Sequence, residues 1–143
     1  MTRSKVLMAA GLLLIGAVAC SDLTGINAAA DGFYSLQTVN GTFLPFTTTD
    51  NLGNQTTVQS DTYSINSDGT YSELGSFRIN GNQGSQSESG TWSQSNNVVQ
   101  FNPTLSSINN FTVYQGVLGN SSSFGGARTL TISINGIIGV YSE

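Results

Sequence analysis

Residues 128–142 read RTLTISINGIIGVYS. Leu130, Ile132 and Ile134 alternate with Thr129, Thr131 and Ser133. That period of two belongs to a strand with one face buried and the other in water. Asn135-Gly136 follows, and Asn-Gly between alternating runs signals a two-residue hairpin, because both central turn positions need φ > 0. IIGVYS (137–142) then runs back along the first strand. The stretch predicts an antiparallel hairpin and an all-β chain.

The same grammar extends toward the N-terminus. FYSLQTV (33–39) sets Tyr34, Leu36 and Thr38 on one face, and Asn40-Gly41 repeats the turn signal. TFLPF (42–46) contains Pro45, which lacks an amide donor, so this strand is short, at an edge or bulged. TTTDNLGN (47–54) reads as a loop, and QTTVQSDTYSI (55–65) places Tyr63 and Ile65 on one face. After the turns NSDG (66–69) and NGNQG (80–84) come TYSELGSFRI (70–79) and SQSESGTWSQ (85–94). VVQF (98–101) pairs Val99 with Phe101, NPTLSSINN (102–110) connects, and FTVYQGVL (111–118) is a strand with apolar residues on both parities. GNSSSFGGA (119–127) is a loop. NGTF (40–43), DGTY (68–71) and SGTW (89–92) share a pattern of a Gly turn, Thr and an inward aromatic.

Eight or nine short strands joined mostly by hairpins predict an antiparallel up-and-down barrel of about eight strands, with a β-sandwich as the alternative. Closure removes exposed sheet edges, and an eight-stranded barrel is just wide enough to hold a small ligand.

The first twenty residues have a different character. Arg3 and Lys5 precede the apolar run VLMAAGLLLI (6–15), and small residues lead to Cys20, the chain's single cysteine. A basic start, a short apolar run and a small-residue site describe an export signal, and the run is shorter than a membrane span. Ala17-Val18-Ala19 fits ordinary secretory cleavage. Ala17-Val18-Ala19-Cys20 also resembles the lipobox of bacterial lipoproteins, with Ala17 where that family usually has Leu. The resemblance implies a signal peptide over 1–19 and a mature N-terminal Cys20 carrying lipid, so the expected partner is a membrane. Ser21 rather than Asp directly after the cysteine favours the outer membrane of a Gram-negative cell envelope, again by resemblance. Residues 20–31 form the expected tether, and 32–143 the domain.

Cleavage there leaves Arg78 and Arg128 against all eight acidic residues. Nucleic-acid binding needs basic surface to displace phosphate counterions, so it is not expected. The chain has no histidine and no second cysteine. His/Cys zinc sites, Ser-His-Asp triads, Cys-His nucleophiles and internal disulfides are therefore excluded. No cofactor is expected, and binding is a better expectation than catalysis. The protein partner, if any, is unspecified.

DGFYSLQTVNGTFLPF (31–46), INSDGTYS (65–72), SGTWSQSNNVVQF (89–101) and RTLTISINGIIGVY (128–141) are similar, in that order, to the hairpins of small bacterial lipocalin-like lipoproteins. The resemblance implies a lipocalin-like barrel over roughly residues 31–143. Where lipocalins carry Gly-x-Trp this chain has Gly32-Phe33-Tyr34. Tyr34 in that role would close one barrel end and need a partner for its hydroxyl.

Candidate ligand-binding residues are the aromatics Tyr34, Tyr63, Tyr71, Phe77, Trp92, Phe101 and Tyr114, with Phe43, all read as facing inward, together with Glu73. Core packing is the default fate of inward aromatics, and lining a cavity for a small hydrophobic molecule is the functional alternative. Strict alternation puts Glu73 inside, where it would carry a raised pKa or recognise a ligand amine, with Arg78 or Arg128 as partner. A bulge at Leu74-Gly75 would instead turn Glu73 out and Leu74 in, and that is the favoured expectation. Asp50, Asn51 and Asn54 share a loop without any calcium-loop spacing and predict a solvated turn. A structural or interaction module with a filled core is the second functional expectation.

Overall fold

A computed structural model describes residues 29–143. The signal-peptide reading of 1–19 and the lipidation of Cys20 lie outside them. The strands are β1 (Gly32–Val39), β2 (Thr42–Phe43), β3 (Phe46–Thr49), β4 (Gln55–Ile65), β5 (Thr70–Ile79), β6 (Asn82–Ser95), β7 (Val98–Ser106), β8 (Tyr114–Ser121), β9 (Ala127–Ile134) and β10 (Ile137–Ser142). Each long strand pairs antiparallel with its neighbour in sequence, β10 pairs with β1, and β1 pairs with β4. The sheet thus closes as an eight-stranded antiparallel up-and-down barrel of β1 and β4–β10. Closure leaves no room for the sandwich alternative.

The Asn-Gly turns behave as their chemistry requires. Asn135 and Gly136 have φ of 52° and 79°, and Asn40 and Gly41 have 49° and 78°. These positive angles give a type I′ turn whose twist matches the strands it joins. The hairpin of β9 and β10 then pairs Ile134 with Ile137, Ile132 with Gly139 and Leu130 with Tyr141, all on the inner face.

Pro45 splits its segment in two. β2 stays on β1, whereas β3 starts at Phe46 and crosses to β4. The residues expected to be a loop at 47–49 are therefore paired strand. Phe43, expected inside, is on the outer surface at 65% exposure, edge-on to Phe124. Other boundaries moved too: β6 starts at Asn82, inside the turn expected at 80–84, and β8 runs on to Ser121, inside the loop expected at 119–127. β7 runs on to Ser106 along β6, and β8 starts only at Tyr114, because β7 and β8 pair no further than Phe101 with Tyr114. Phe111 and Val113, which gave the expected strand its mixed parity, lie in the loop before it and are exposed.

The interior has two unlike halves. Tyr63, Tyr71, Phe101, Tyr114 and Tyr141 form an aromatic layer across the waist, with ring centroids 4.9–5.3 Å apart at the closest pairs. Below it, Tyr34, Ile65, Val99, Leu118 and Leu130 pack solidly. One end of the barrel is closed. Tyr34 is fully buried there and its hydroxyl donates to the Ala30 carbonyl at 3.1 Å, which supplies the required partner. The Ala30 amide donates to Gln94 at 2.8 Å. Arg128 lies 5.7 Å over the Tyr34 ring, pairs with Glu143 at 2.6 Å, and donates to the carbonyls of Ala29 and Asp31. Burial pushes the Tyr34 hydroxyl pKa up to about 12, so it remains a donor at any physiological pH. The last residues expected to be tether thus form part of the plug.

Candidate functional site

The other end is open. There the inner faces of β4, β5, β9 and β10 rise past the aromatic layer and enclose a cavity of about 490 Å³. Its walls are mainly apolar, with Leu36 and Val39 from β1, Val58 from β4, Phe77 and Ile79 from β5, and Ile132, Ile134 and Ile137 from the terminal hairpin, interspersed with Thr56, Ser60 and Ser76. Ile108 and Asn110, from the loop between β7 and β8, complete the rim. This volume falls within the range of about 300–1,000 Å³ typical of small-molecule sites.

The floor is acidic and phenolic. Glu73 is only 6% exposed and Leu74 is 60% exposed, so the bulge expected at Leu74-Gly75 is absent. The ladder from Ser60–Ser76 to Ile65–Tyr71 is unbroken, and the irregularity sits on β4 between Val58 and Ser60. Alternation therefore carries Glu73 inward beside Asp61, and a third carboxylate, Glu88, comes from β6. Neither arginine reaches them. Arg78 donates to Gln83 at 3.2 Å on the outside, and Arg128 is at the closed end.

Hydrogen bonds hold this floor in place. Tyr71 and Tyr114 each donate to Glu88 Oε1 at 2.6 Å. Since the Tyr114 proton is committed, Tyr63 donates to the Tyr114 oxygen at 2.9 Å. Tyr141 donates to Asp61 Oδ2 at 2.7 Å, and Gln86 donates to Glu73 Oε1 at 3.0 Å. Asp61 Oδ1 is buried and meets no N–H or phenol donor. The remaining donor is the Glu73 carboxyl itself, which hydrogen-bonds Asp61 when protonated. Burial raises the pKa of Glu73 to about 8, helped by the negative charge of Asp61, and burial raises that of Asp61 as well. Two buried carboxyl groups in contact cannot both ionise cheaply, so they share one proton. The same burial holds Tyr63 and Tyr141 well above the ordinary phenol range.

The residues expected to bind ligand thus divide. Tyr63, Glu73, Phe77 and Tyr114 line the cavity. Tyr71 and Phe101 are buried in the layer beneath it, Tyr71 touching the site only through Glu88. Tyr34 belongs to the closed end, as does Trp92, whose indole N–H donates to the Asn66 carbonyl at 2.8 Å. Of the eight aromatics expected to face inward, four thus pack in the core, three line the cavity and Phe43 lies outside. Asp61, Glu88 and Tyr141 were missed. Continuing the Tyr63–Ile65 alternation back to Asp61 would have found the first, and Glu73 inward would then have pointed to a carboxyl pair.

Among the described residues no group of three acidic side chains is placed to hold a metal ion. Asp50, considered for calcium, has its carboxylate occupied by the amides of Leu52 and Asn54 at 2.9 and 2.8 Å. The Asn54 side-chain amide also donates to Asp50 Oδ2, at 2.9 Å, and this bond first, with the two backbone bonds, holds the Asp50 pKa below the usual carboxylate value and closes the loop on itself. Comparison with family models, curated proteins and solved structures yields no match.

Proposed function

We propose that this protein is a non-enzymatic receptor for a small, largely apolar molecule, carried on a lipid-anchored, lipocalin-like barrel in the bacterial cell envelope. The observation that carries the binding role is the open cavity of about 490 Å³ with aliphatic walls above a filled waist. A module with a filled core is less well supported, because only the half of the barrel around Tyr34 and Leu130 is packed solid.

The anchor and the cavity fit one geometry. Arg128 and Gln94 hold Ala29 to Asp31 at the closed end. Nine residue-to-residue steps lead from Cys20 to Ala29, and they reach at most about 32 Å. A lipid on Cys20 would therefore keep the closed end within that distance of the bilayer, and the mouth lies at the opposite end. Mass spectrometry of protein extracted from its native membrane tests the anchor: a lipid-sized increment on Cys20 is expected, and a free thiol would mean simple secretion.

Ligand uptake is tested with the neutral fluorophore N-phenyl-1-naphthylamine. Its emission is expected to rise and shift to the blue in the presence of the wild-type protein. Val58→Trp places an indole into the cavity wall and is expected to cut the fluorophore's affinity by about tenfold or more, a loss of about 1.4 kcal/mol. Ile134→Trp blocks the rim from a more exposed position and serves as the second variant. Unchanged emission in both folded variants would place the fluorophore elsewhere and remove the support for a receptor.

A further inference from the structure

We infer that the cavity selects a monocationic amphiphile, a small primary ammonium compound with an apolar body, whose head group seats on the Asp61–Glu73 pair. This rests on the barrel being a small-molecule receptor.

The cavity runs from aliphatic walls to a floor lined by Asp61, Glu73 and Glu88, and no cationic side chain is among its lining residues. The two arginines are engaged elsewhere, one on the outer surface and one at the closed end. Glu88 already accepts two phenol protons. The Asp61–Glu73 pair differs. Asp61 Oδ2 accepts from the Tyr141 phenol, and Glu73 Oε1 accepts from Gln86. Asp61 Oδ1 takes none. With a single shared proton the pair carries one negative charge beside an open cavity, and a buried charge without a partner is costly.

Each class of ligand meets this floor differently. A carboxylate or phosphate head would face three carboxyl groups and no donor cation. A neutral apolar molecule would fill the walls and leave the charge uncompensated. A bare metal ion lacks a converging donor set. An ammonium group is a compact point charge with three donors and no acceptor, so it matches a surface made of acceptors. The rings of Tyr63 and Tyr141, which also line the cavity, add faces that attract a cation. Ile132, Ile134 and Val58 then cover the apolar body.

Three probes of one size and different charge test this: phenethylammonium, 2-phenylethanol and phenylacetate, titrated into the purified full chain at neutral pH and followed by amide NMR. The ammonium compound is expected to bind at least about tenfold tighter than the alcohol, and phenylacetate most weakly. In the double variant Asp61→Asn/Glu73→Gln the ammonium preference is expected to vanish while the alcohol still binds. Asp61→Asn alone makes the same comparison if the double variant does not fold. Wild-type binding of the alcohol as tight as that of the ammonium compound would overturn the cation assignment and leave the receptor standing. Retention of the full preference without the carboxylates would also overturn it. Failure of the alcohol, the ammonium compound and N-phenyl-1-naphthylamine alike would remove the receptor and this assignment together.

Discussion

Replacing Gly90 with alanine is expected to destabilise the barrel by about 2–4 kcal/mol, toward the upper end of the cost of overpacking a well-filled interior. A Cβ on Gly90 would stand 2.1 Å from the Asn102 carbonyl oxygen, 2.9 Å from its carbon and 3.0 Å from Pro103 Cα. All three are backbone atoms, so no rotamer change relieves the clash. The β6–β7 ladder shifts register at this point, between Ser89 and Gly90, and the two backbones close on each other there. Relief requires β7 to move away from β6. Thermal melting checks this, with a fall in Tm of roughly 10 °C or more expected for a domain of this size. Gly119→Ala is the control, because its Cβ would meet only the Thr129 hydroxyl, at 3.3 Å. That variant is expected to stay within about 1 kcal/mol of the wild type, as substitutions free of such clashes do. A Gly90→Ala protein that melts with the wild type would mean that β6 and β7 do not approach as described.

Gly90 also shows where sequence reasoning ends. SGTW looks like the turn grammar of DGTY, yet Gly69 has φ of 86° and sits in a turn, whereas Gly90 lies inside a fourteen-residue strand. A glycine can be required by a turn or by a neighbouring backbone, and four letters do not separate the two. The barrel was legible for the opposite reason. Alternation in β9 and the Asn-Gly turns are local signals whose meaning survives tertiary context. Strand ends were not legible, because β7 and β8 stop where their partners stop. Pro45 announced an irregularity without saying that the chain changes neighbours there. For the site, the face of each residue on β5 followed from alternation, and the error was to distrust it at Glu73. A carboxylate beside Tyr71 and Phe77 is costly to bury without partners. What offsets that cost is Gln86 on β6 and a proton shared with Asp61 on β4. Both partners come from neighbouring strands whose register the sequence does not display. The division into a packed lower half and an open upper half depends likewise on how eight strands splay.

That shared proton sets the pH dependence of stability. In the unfolded chain Glu73 ionises near 4.5, and in the barrel near 8. Below pH 4.5 both states hold the proton, so the favourable fold is intact. As pH rises from 4.5 to 8 the unfolded chain releases it and the native state keeps it, so unfolding becomes progressively easier. Above 8 both states are ionised and the loss is complete. A pKa unit corresponds to 1.36 kcal/mol, and with some screening by the open mouth the loss across this window is about 2–4 kcal/mol. Asp61 shifts in the same direction and adds to the slope. Asp50 and Asp68 are depressed by their own loop hydrogen bonds, so what they contribute is lost on acidification, in a separate window. Glu73→Gln imitates the protonated residue: its carbonyl oxygen accepts from Gln86 and its amide donates to Asp61. The variant is expected to match the wild type near pH 4.5, to lose most of the decline between 4.5 and 8, and to be the more stable protein above 8. Urea unfolding at a series of pH values measures this directly. A variant less stable than wild type above pH 8 would show that Glu73 is ionised and held by some other partner, and would remove the shared proton from the cavity floor.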